Sequence, residues 1–580
     1  ETQNVKSYND EAKTVLREYR EVVNTYADDV SRKRGNAQTS TVSRWTNTTK
    51  LATEWIDKTI MTTTSFDSQG RALNQTQDIH IYKDGALQHA FSNDIVNSLY
   101  DNRGDAGLQK ITSNKMVLGA RVLVDYKELT NRSFDASHNI ANQMILTYVD
   151  ATKATLLEVQ ESRSIGFNSQ GVALRQLLIT YSDLAKTTQI GVREIVNSGI
   201  SPSGNVGTRV ITNYASATFV SGDTTKDVLN LVGPLDRQTI ETSSFDNRGN
   251  ALRQTVKSEG YVNNTWTFSG MQDITNDSID LYDRTGHSIV KSYSSGAIPL
   301  TGFIGLDDIT YTRYDRFGNV ETQNVKSYND EAKTVLREYR EVVNDFNNAD
   351  GTDNAVARKR GNARLSTVSR WTDTTKANDK WIDKTVMTTT AFDIQGRAVD
   401  QTQEIFVYKG GTAPTLAFRN VIKNLNYDNR GDAELQQITS YTMSGTEPTL
   451  IDYKELTNRS FDASHNIQNQ MILTYSDNTK ATLLEVQESR SIGFNPQGVA
   501  LKQILVTYSD LNKSQLIGVR EILNSNISPS GNVGTRVITN YGSVAFVGTG
   551  TAGDIVLPLT NPLDRQTIET SSFDNRGNAL

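Results

Sequence analysis

The sequence predicts an all-β protein made of tandem β-hairpins that form one continuous coiled sheet, as a β-spiral shell, a solenoid or a tube wall. A turn of the form aromatic-Asp-x-x-Gly recurs along the chain, and nine intervals of about 36 residues separate Gly35 from Gly361. The segments between turns, such as 172–181, are rich in β-branched and aromatic residues, which favour strands. We therefore expect about sixteen hairpins, or about 32 strands. A sheet this wide coils because its strands twist.

Each residue type in the recurring turn has a local physical role. Asp at the first turn position accepts hydrogen bonds from backbone N–H groups further on, and Gly at the fourth supplies the positive φ that closes a type I turn with a bulge. His138 and His465 take the Gly position in weaker copies; we interpret both as turn residues because His tolerates the left-handed conformation. The predicted structural turns are Phe66, Asp67 and Gly70; Tyr100, Asp101 and Gly104; Phe245, Asp246 and Gly249; Tyr282, Asp283 and Gly286; Tyr314, Asp315 and Gly318; Phe392, Asp393 and Gly396; and Tyr427, Asp428 and Gly431.

A second turn type alternates with the first and completes the hairpin unit. It has the form Tyr-x-Asp-x-x-Lys-x-x-Leu, as at 148–156 and 475–483. Weaker copies of the first turn are expected at 32–35 and 358–361, where the sequence reads Arg-Lys-Arg-Gly. The segment 11–23 has some helical spacing, but its place in the register favours a strand.

Glutamine recurs five residues after the Gly or His of the turn. Strands that pair side by side would bring these amides together in a hydrogen-bonded ladder; the alternative is a solvated face that favours Gln. Glu residues on the returning strands, such as Glu18 and Glu194, are interpreted as members of cross-strand ion pairs and not as catalytic carboxylates. The predicted ladder residues are Gln75, Gln109, Gln143, Gln176, Gln254, Gln323, Gln401, Gln436, Gln470 and Gln503.

A much longer repeat contains these hairpins. The sequence of residues 1–24 recurs without a mismatch at 321–344. Residues 1–320 are therefore the first long repeat, with about nine hairpin units, and 321–580 are a second, incomplete one, with no separate catalytic domain. Because both ends fall inside a repeat, we expect this sequence to be part of a longer repetitive polypeptide.

Composition and motif content exclude several function classes. The 60 basic and 66 acidic residues are interspersed, which argues against a nucleic-acid footprint, and no apolar run is long enough to span a membrane. The absence of Cys excludes disulfides and Cys-ligated metals. The five His have no metal-binding spacing, and no phosphate-binding or nucleophile motif occurs. We expect no enzyme activity, no metal and no cofactor; the acidic segment 347–354 is interpreted as a hairpin tip in preference to a calcium loop.

The turns support one family resemblance. The segment 311–320, with Tyr-Asp-Arg-Phe-Gly, and the other [Phe/Tyr]-Asp-x-x-Gly turns resemble the YD repeats of Rhs-like bacterial surface proteins, although the spacing of about 34 residues is longer than is usual in that family. The resemblance implies β-hairpins that spiral into hollow shells, and a secreted or surface-exposed protein.

Three functions follow from these features as hypotheses. The first is a structural extracellular protein that forms a filament, tube or sheath and associates with itself along the repeat array or with other copies of the chain. The second is a YD-repeat shell that encapsulates a toxin or another cargo. The third is a cell-surface adhesin whose variable segments, near 80–96, 215–235, 259–275 and 344–356, contact a glycan or another cell.

Overall fold

The computed structural model contains an antiparallel β-sheet of 32 strands, joined as consecutive hairpins. It describes residues 1–580 except 9–12, 15, 220–227, 409, 411–412, 446, 529, 549, 574–576, 578 and 580. The all-β class, the hairpin repeat and the expected number of strands are confirmed. The described part of the 11–23 segment from residue 16 onward is strand, as its register predicts.

The first seventeen strands are β1 (Thr2–Tyr8), β2 (Leu16–Thr25), β3 (Thr39–Trp45), β4 (Trp55–Phe66), β5 (Ala72–Lys83), β6 (Ala86–Tyr100), β7 (Ala106–Val117), β8 (Ala120–Phe134), β9 (Ile140–Tyr148), β10 (Leu156–Phe167), β11 (Ala173–Tyr181), β12 (Gln189–Ile200), β13 (Val206–Phe219), β14 (Val228–Phe245), β15 (Ala251–Val262), β16 (Thr265–Asp277) and β17 (His287–Tyr293).

The remaining strands are β18 (Phe303–Tyr314), β19 (Val320–Tyr328), β20 (Leu336–Asp345), β21 (Leu365–Trp371), β22 (Trp381–Phe392), β23 (Ala398–Val407), β24 (Thr415–Tyr427), β25 (Ala433–Ser444), β26 (Glu447–Phe461), β27 (Ile467–Tyr475), β28 (Leu483–Phe494), β29 (Ala500–Tyr508), β30 (Leu516–Ile527), β31 (Val533–Tyr541), β32 (Phe546–Val547), β33 (Asp554–Ile555) and β34 (Pro562–Glu569). β32 and β33 form a separate ribbon between β31 and β34.

Strands that follow each other in the chain pair antiparallel, as β10 does with β9 and β11, and β31 pairs with β34 instead of with β32. In the register of β10, Glu161 lies opposite Met144 on one side and Ile179 on the other. Strand ends carry a register shift just before many turns, for example between Asn131 and Ser133. These bulges bend the chain into the tight turn.

Two places predicted as turns are short helices. α1 (Asp29–Arg34) and α2 (Ala355–Arg360) end at Gly35 and Gly361, whose φ of 74° places each in the left-handed conformation. Asp28 caps α1 by accepting from the Ser31 amide at 2.6 Å. The prediction of a hairpin turn was therefore wrong at these two places. A Gly that follows a helical turn of basic residues is equally suited to the C-cap of a helix.

The chain divides into two compact units. Unit 1 contains Glu1–Val256, Ile274–His287 and Arg316–Gly318, and unit 2 contains Lys257–Asp273, Ser288–Asp315 and Asn319–Leu580. Unit 1 includes most of the first sequence repeat, and unit 2 includes the second together with two segments of the first.

Within unit 1 the sheet returns to touch itself. Arg17 at the start of β2 donates from Nη1 to the carbonyl of Pro202, in the tip after β12, at 2.5 Å. Lys83 at the end of β5 donates from Nζ to the carbonyl of Ile279 at 2.9 Å. Residues about 190 positions apart in the chain thus meet where hairpin tips contact the opposite ends of earlier strands. We call this contact line the seam of unit 1.

Unit 2 has a seam of the same kind. Ser464, in the tip after β26, donates from Oγ to the carbonyl of Ser269 on β16 at 3.3 Å. Gly260 on β15 approaches Ala463 so closely that a Cβ on the glycine would lie 2.8 Å from the Ala463 carbonyl oxygen. A side chain at this position would push the tip away, so glycine permits the seam to close here.

The seam of unit 2 is testable because the chain contains no cysteine. In the double variant S269C/S464C, a short bis-maleimide is expected to join the two thiols within one chain, which changes electrophoretic mobility. The control S269C/S509C should not be joined, because Ser509 follows β29 at the end opposite to the tip. Equal cross-linking in both variants would contradict the seam.

Candidate functional site

Hydrogen bonds of the predicted Asp-Gly turns stabilise the hairpin tips and connect one tip to the next. In the first, the Gly70 amide donates to the Asp67 carbonyl at 3.0 Å, and Asp67 Oδ1 accepts from the amides of Gln69 and Arg71 at 2.9 Å each. Arg71 then donates to the carbonyl of Asp101 in the next tip at 3.4 Å, and its guanidinium lies 4.6 Å from the ring centre of Tyr100. Asp accepts similar bonds within the turns that begin at 101, 246, 315, 393 and 428, and Gly at 104, 249, 318, 396 and 431 has positive φ.

The aromatic residues before these turns end strands. Phe66, Tyr100, Phe245, Tyr314, Phe392 and Tyr427 are the last residues of β4, β6, β14, β18, β22 and β24. The hydroxyls of Tyr100 and Tyr427 donate to the carbonyls of Ala72 and Ala398 at the base of the preceding hairpin. An aromatic residue therefore joins neighbouring hairpins in addition to ending its own strand.

The turn predicted at Tyr282, Asp283 and Gly286 forms three residues earlier. Asp280 is the capping residue, accepting from the amides of Tyr282 and Arg284 at 2.8 and 2.9 Å, and Asp283 takes the left-handed position with φ of 61°. Gly286 instead donates to the carbonyl of Ser278. The sequence contains two Asp residues at turn spacing, and the earlier one is used because Tyr282 is bonded across the seam of unit 1, where its hydroxyl donates to the Met116 carbonyl at 2.5 Å.

An unbroken chain of side-chain hydrogen bonds crosses six neighbouring strands of the first repeat. Gln on β5, β7 and β9 alternates with Asn on β6 and β8, and each amide N–H donates to the oxygen on the strand before it. The members, in order, are Thr63, Gln75, Asn97, Gln109, Asn131 and Gln143, joined at 3.2, 3.0, 2.9, 3.4 and 2.7 Å. We call this series the amide ladder.

The second repeat contains the same amide ladder. It runs through Thr389, Gln401, Asn424, Gln436, Asn458 and Gln470, joined at 3.2, 3.5, 2.8, 3.2 and 2.7 Å. Each Asn also donates to a backbone carbonyl, as Asn458 does to Ala433 at 2.7 Å. Asn131 and Asn458 are 7% and 3% exposed, and the ladder supplies a donor to the buried Oδ1 atom of each.

The other predicted glutamines make shorter connections. Gln176 and Gln503 donate to the hydroxyls of Ser162 and Ser489 at 3.2 and 3.3 Å, and Gln254 donates to Thr242 at 3.0 Å. Gln323 lies opposite Tyr311 and Val342 in the register.

The Asn members of the ladder were missed by the sequence analysis, although a signal for them exists. Asn97, Asn131, Asn424 and Asn458 each stand seven residues before the Gly or His of a turn. Counting backwards from the turn as well as forwards would have found them.

The second turn type places a lysine in the left-handed conformation and anchors it to an earlier hairpin. Lys153 and Lys480 have φ of 60° and 59°, and their Nζ atoms lie 2.5 and 2.6 Å from Glu128 and Glu455. In both cases the acidic residue stands 25 positions before the lysine in the chain. Lys333 donates to Asp308, and these two residues have the same spacing. The lysine amide also donates to the carbonyl of the turn aspartate, as Lys153 does to Asp150 at 3.2 Å, so the turn fixes the backbone and the ion pair connects it to the earlier hairpin.

At two places this lysine joins a buried ion cluster. Glu161 is fully buried and lies within 2.5–3.0 Å of Arg132, Arg163 and Lys186. We call these four residues the Glu161 cluster. Burial alone would raise the pKa of Glu161, but the hydrogen bonds and charges of Arg132 and Lys186 outweigh burial and hold its pKa below the usual range. The carboxylate therefore stays ionised.

The second repeat reproduces this arrangement as the Glu488 cluster. Glu488 is fully buried and is bonded by Arg459, Arg490 and Lys513. Burial again opposes ionisation, and the bonds from Arg459 and Lys513 overcome it, so the pKa of Glu488 is lowered. One carboxylate faces three cations in each cluster, and the remaining positive charge needs further partners.

Backbone carbonyls provide those partners in unit 2. Between β31 and β34, the described residues of 542–561, which are all but 549, fold across the sheet, and we call them the strap. Arg490 donates from Nη2 to the carbonyls of Thr551 and Gly553 at 2.9 and 2.7 Å, and Asn469 donates to that of Ala552 at 3.1 Å. Phe546 and Ile555 of the strap pack with a buried apolar cluster that contains Val486, Ile504, Val506 and Val519. Of the first-repeat segment 215–235, residues 220–227 lie outside the described part of the chain.

His138 and His465 serve as turn residues. Both have φ of 65°, and their Nδ1 atoms lie 2.7 Å from Asp105 and Asp432 on the preceding tip. Among the described residues, no three His, Cys, Asp or Glu side chains are grouped as metal ligands. In the same part of the chain, no helix is both long and apolar enough to cross a membrane.

No protein-family model matches the chain, and no curated protein matches it. Among solved structures the chain is similar to TcdB2-TccC3 (11% identity, TM-score 0.16, covering 93% of this chain and 31% of that one). A Tc holotoxin pore of Photorhabdus luminescens with a mutation in TccC3 (10%, 0.20, 93% and 34%) and TcdB2-TccC3-Cdc42 (11%, 0.12, 93% and 30%) are also similar. The chain thus spans about a third of the length of those chains. TM-scores this low do not establish a shared fold, and no functional conclusion follows from them.

The amide ladder predicts coupled stability losses. Asn458→Ala removes three hydrogen bonds at a buried position, so local opening of β25–β27 should become easier by about 2–3 kcal/mol, measured by hydrogen–deuterium exchange. Gln503→Ala removes one bond outside the ladder and should cost about 1 kcal/mol. In a double-mutant cycle, Asn458→Ala and Gln436→Ala should be non-additive. Simple additivity would mean that the ladder is a set of independent bonds.

The Glu488 cluster predicts a pH-dependent contribution to stability. Glu488→Gln leaves the buried Arg490 and the partly buried Arg459 and Lys513 without their counter-charge and should destabilise β27–β29 by about 3–5 kcal/mol at pH 7. The control Glu341→Gln, which breaks the exposed pair with Lys376, should cost at most about 1 kcal/mol.

The sign of the pH dependence follows from the lowered pKa of Glu488. Its stabilising effect is complete above the unfolded-state value of about 4.3 and is lost as pH falls through the lower folded-state value. The difference in stability between the wild type and Glu488→Gln, measured by hydrogen exchange, should therefore shrink steadily once the pH falls below about 4.3. A constant difference down to pH 2 would contradict the assignment.

Proposed function

We propose that the chain is a structural, non-enzymatic protein whose hairpins coil into the wall of a narrow extracellular tube or sheath. The observation that carries the proposal is the seam found in each unit. In unit 1 the strands β3–β12 lie between Arg17 and its partner Pro202. In unit 2 the strands β17–β26 lie between Ser269 and Ser464.

The number of strands between seam partners supports a narrow coil. Ten strands at ~4.8 Å each cover only ~50 Å of sheet. Closed barrels of about eight strands are just wide enough for side chains or one small ligand. A circuit of about ten strands has a similar diameter to such a barrel, so its interior is too small for a folded protein. This estimate favours a tube wall over a container for cargo.

The chemistry of the strands supports a mechanical role. Neighbouring hairpins are joined at their tips by Arg–carbonyl bonds, in the middle by the amide ladder and at the far end by Lys–Glu pairs. The same kinds of connection recur in the second long repeat. Length therefore increases by addition of hairpins without a new core for each one.

A cargo-enclosing shell is the second candidate. The Tyr-Asp and Phe-Asp turns that favour it are formed as the YD-repeat resemblance leads one to expect. A shell would need strands elsewhere in the polypeptide to coil more widely than the ten-strand circuits of these two units.

Electron cryo-microscopy of the native assembly distinguishes the two candidates. We expect continuous filaments or tubes whose helical indexing gives about ten strands per turn and an axial repeat related to the 36-residue unit or the long repeat. Discrete closed particles with density inside them would overturn the tube and establish the shell. A flat ribbon would contradict both.

A further inference from the structure

A groove of about 740 Å³ lies within unit 2, beside its seam. One wall is formed by strand residues of β15–β18, including Phe268 and Gln272, and the other by the tips 462–466 and 494–498. Its volume is in the range of ligand-binding sites. The variable segment 259–275, singled out in the sequence, supplies the centre of the first wall.

The lining of the groove carries almost no charge. Its described lining contains no Lys or Arg, and Asp462 is its only carboxylate. Both oxygens of Asp462 are occupied within the turn: Oδ1 accepts from the amides of Ser464 and Asn466 at 2.8 and 2.9 Å, and Oδ2 accepts from the Asn466 side chain at 2.9 Å. Such a lining disfavours an anion, and its one carboxylate has its oxygens occupied within the turn, so a neutral ligand fits it best.

The lining offers hydroxyl and amide groups together with aromatic rings. Ser258, Gln272, Ser292 and Gln497 present groups that both donate and accept hydrogen bonds. Phe268 and Phe494 add apolar ring surface on the two walls. A sugar ring matches this combination, because its edge carries hydroxyls and its face carries C–H groups that pack on aromatic rings.

We propose that this groove binds a neutral oligosaccharide. Comparison with the seam of unit 1 shows that the chemical character of the unit 2 groove comes from the residues that line it. The cavity there, about 380 Å³, is lined by Lys83, Asp246, Arg248 and Asp280. Closure of a seam therefore does not by itself produce a neutral, hydroxyl-lined groove. The strand residues of β15–β18 give the groove of unit 2 this character.

Gly270 provides a means of blocking the groove. It lies on β16 and in the groove lining, its φ is outside the left-handed region, and a Cβ placed there meets no atom within 4 Å. Gly270→Trp should fill the groove without strain. Gly518 has the same two properties on β30, away from the groove, so Gly518→Trp is the matched control.

The test is calorimetric titration of the full chain with neutral hexasaccharides of glucose, mannose and N-acetylglucosamine, and with an anionic hexagalacturonate. We expect at least one neutral hexasaccharide to bind, with affinity reduced at least tenfold by Gly270→Trp, reduced several-fold by Gln272→Ala and unchanged by Gly518→Trp. Hydrogen exchange of β16 checks that the variants are folded.

Three results would overturn the proposal: no neutral sugar binds, only the anionic sugar binds, or Gly270→Trp and Gln272→Ala both bind as the wild type does. The proposal is independent of the tube. Gly270→Trp leaves the seam contact between Ser269 and Ser464 in place, so the filaments of the variant should be unchanged in micrographs.

Discussion

Strand-to-strand connection is the constraint on which the rest of this structure depends. The described strands form one large sheet in which a hairpin is hydrogen-bonded to the hairpins beside it, so the stability of a strand depends on its neighbours. Every hairpin must therefore be joined to the next one at several points along its length. Arg71 at a tip, Asn97 in the ladder and Lys153 at the far end are three such points, and each contacts a neighbouring hairpin.

The Glu488 cluster lies where a further segment of the chain covers the sheet. In unit 2 the strap places Phe546 and Ile555 on the sheet beside the Glu488 cluster, and its carbonyls complete the bonding of Arg490. Removing one partner from such a cluster leaves unpaired buried charge, which is costly. The strap and the cluster are thus mutually dependent: the strap excludes water from the ions, and the ions fix the path of the strap.

The sequence predicts the repeating part of this fold well, because the signals are local. Asp67 and Gly70 act within their own turn, and the Gln positions follow from their distance to that turn. Partners from other hairpins were not predicted: Asn131 in the ladder and Glu128 beneath Lys153 depend on register between strands. The turn near Tyr282 was misplaced for the same reason, since a contact with Met116 selects between two Asp residues at turn spacing.

The repeated and the variable segments have different physical tasks. The tip at 494–498 recurs as 167–171 with one substitution, Pro496 in place of Ser169, and its turn is held by the same Asn-based bonds in both copies. A tip of this kind lines the neutral groove only where β15–β18 face it. Specific recognition therefore depends on which strands lie opposite a tip whose sequence is nearly the same in both repeats. An array of this design acquires a binding site by changing a few residues at a seam, while the connections between its hairpins stay the same.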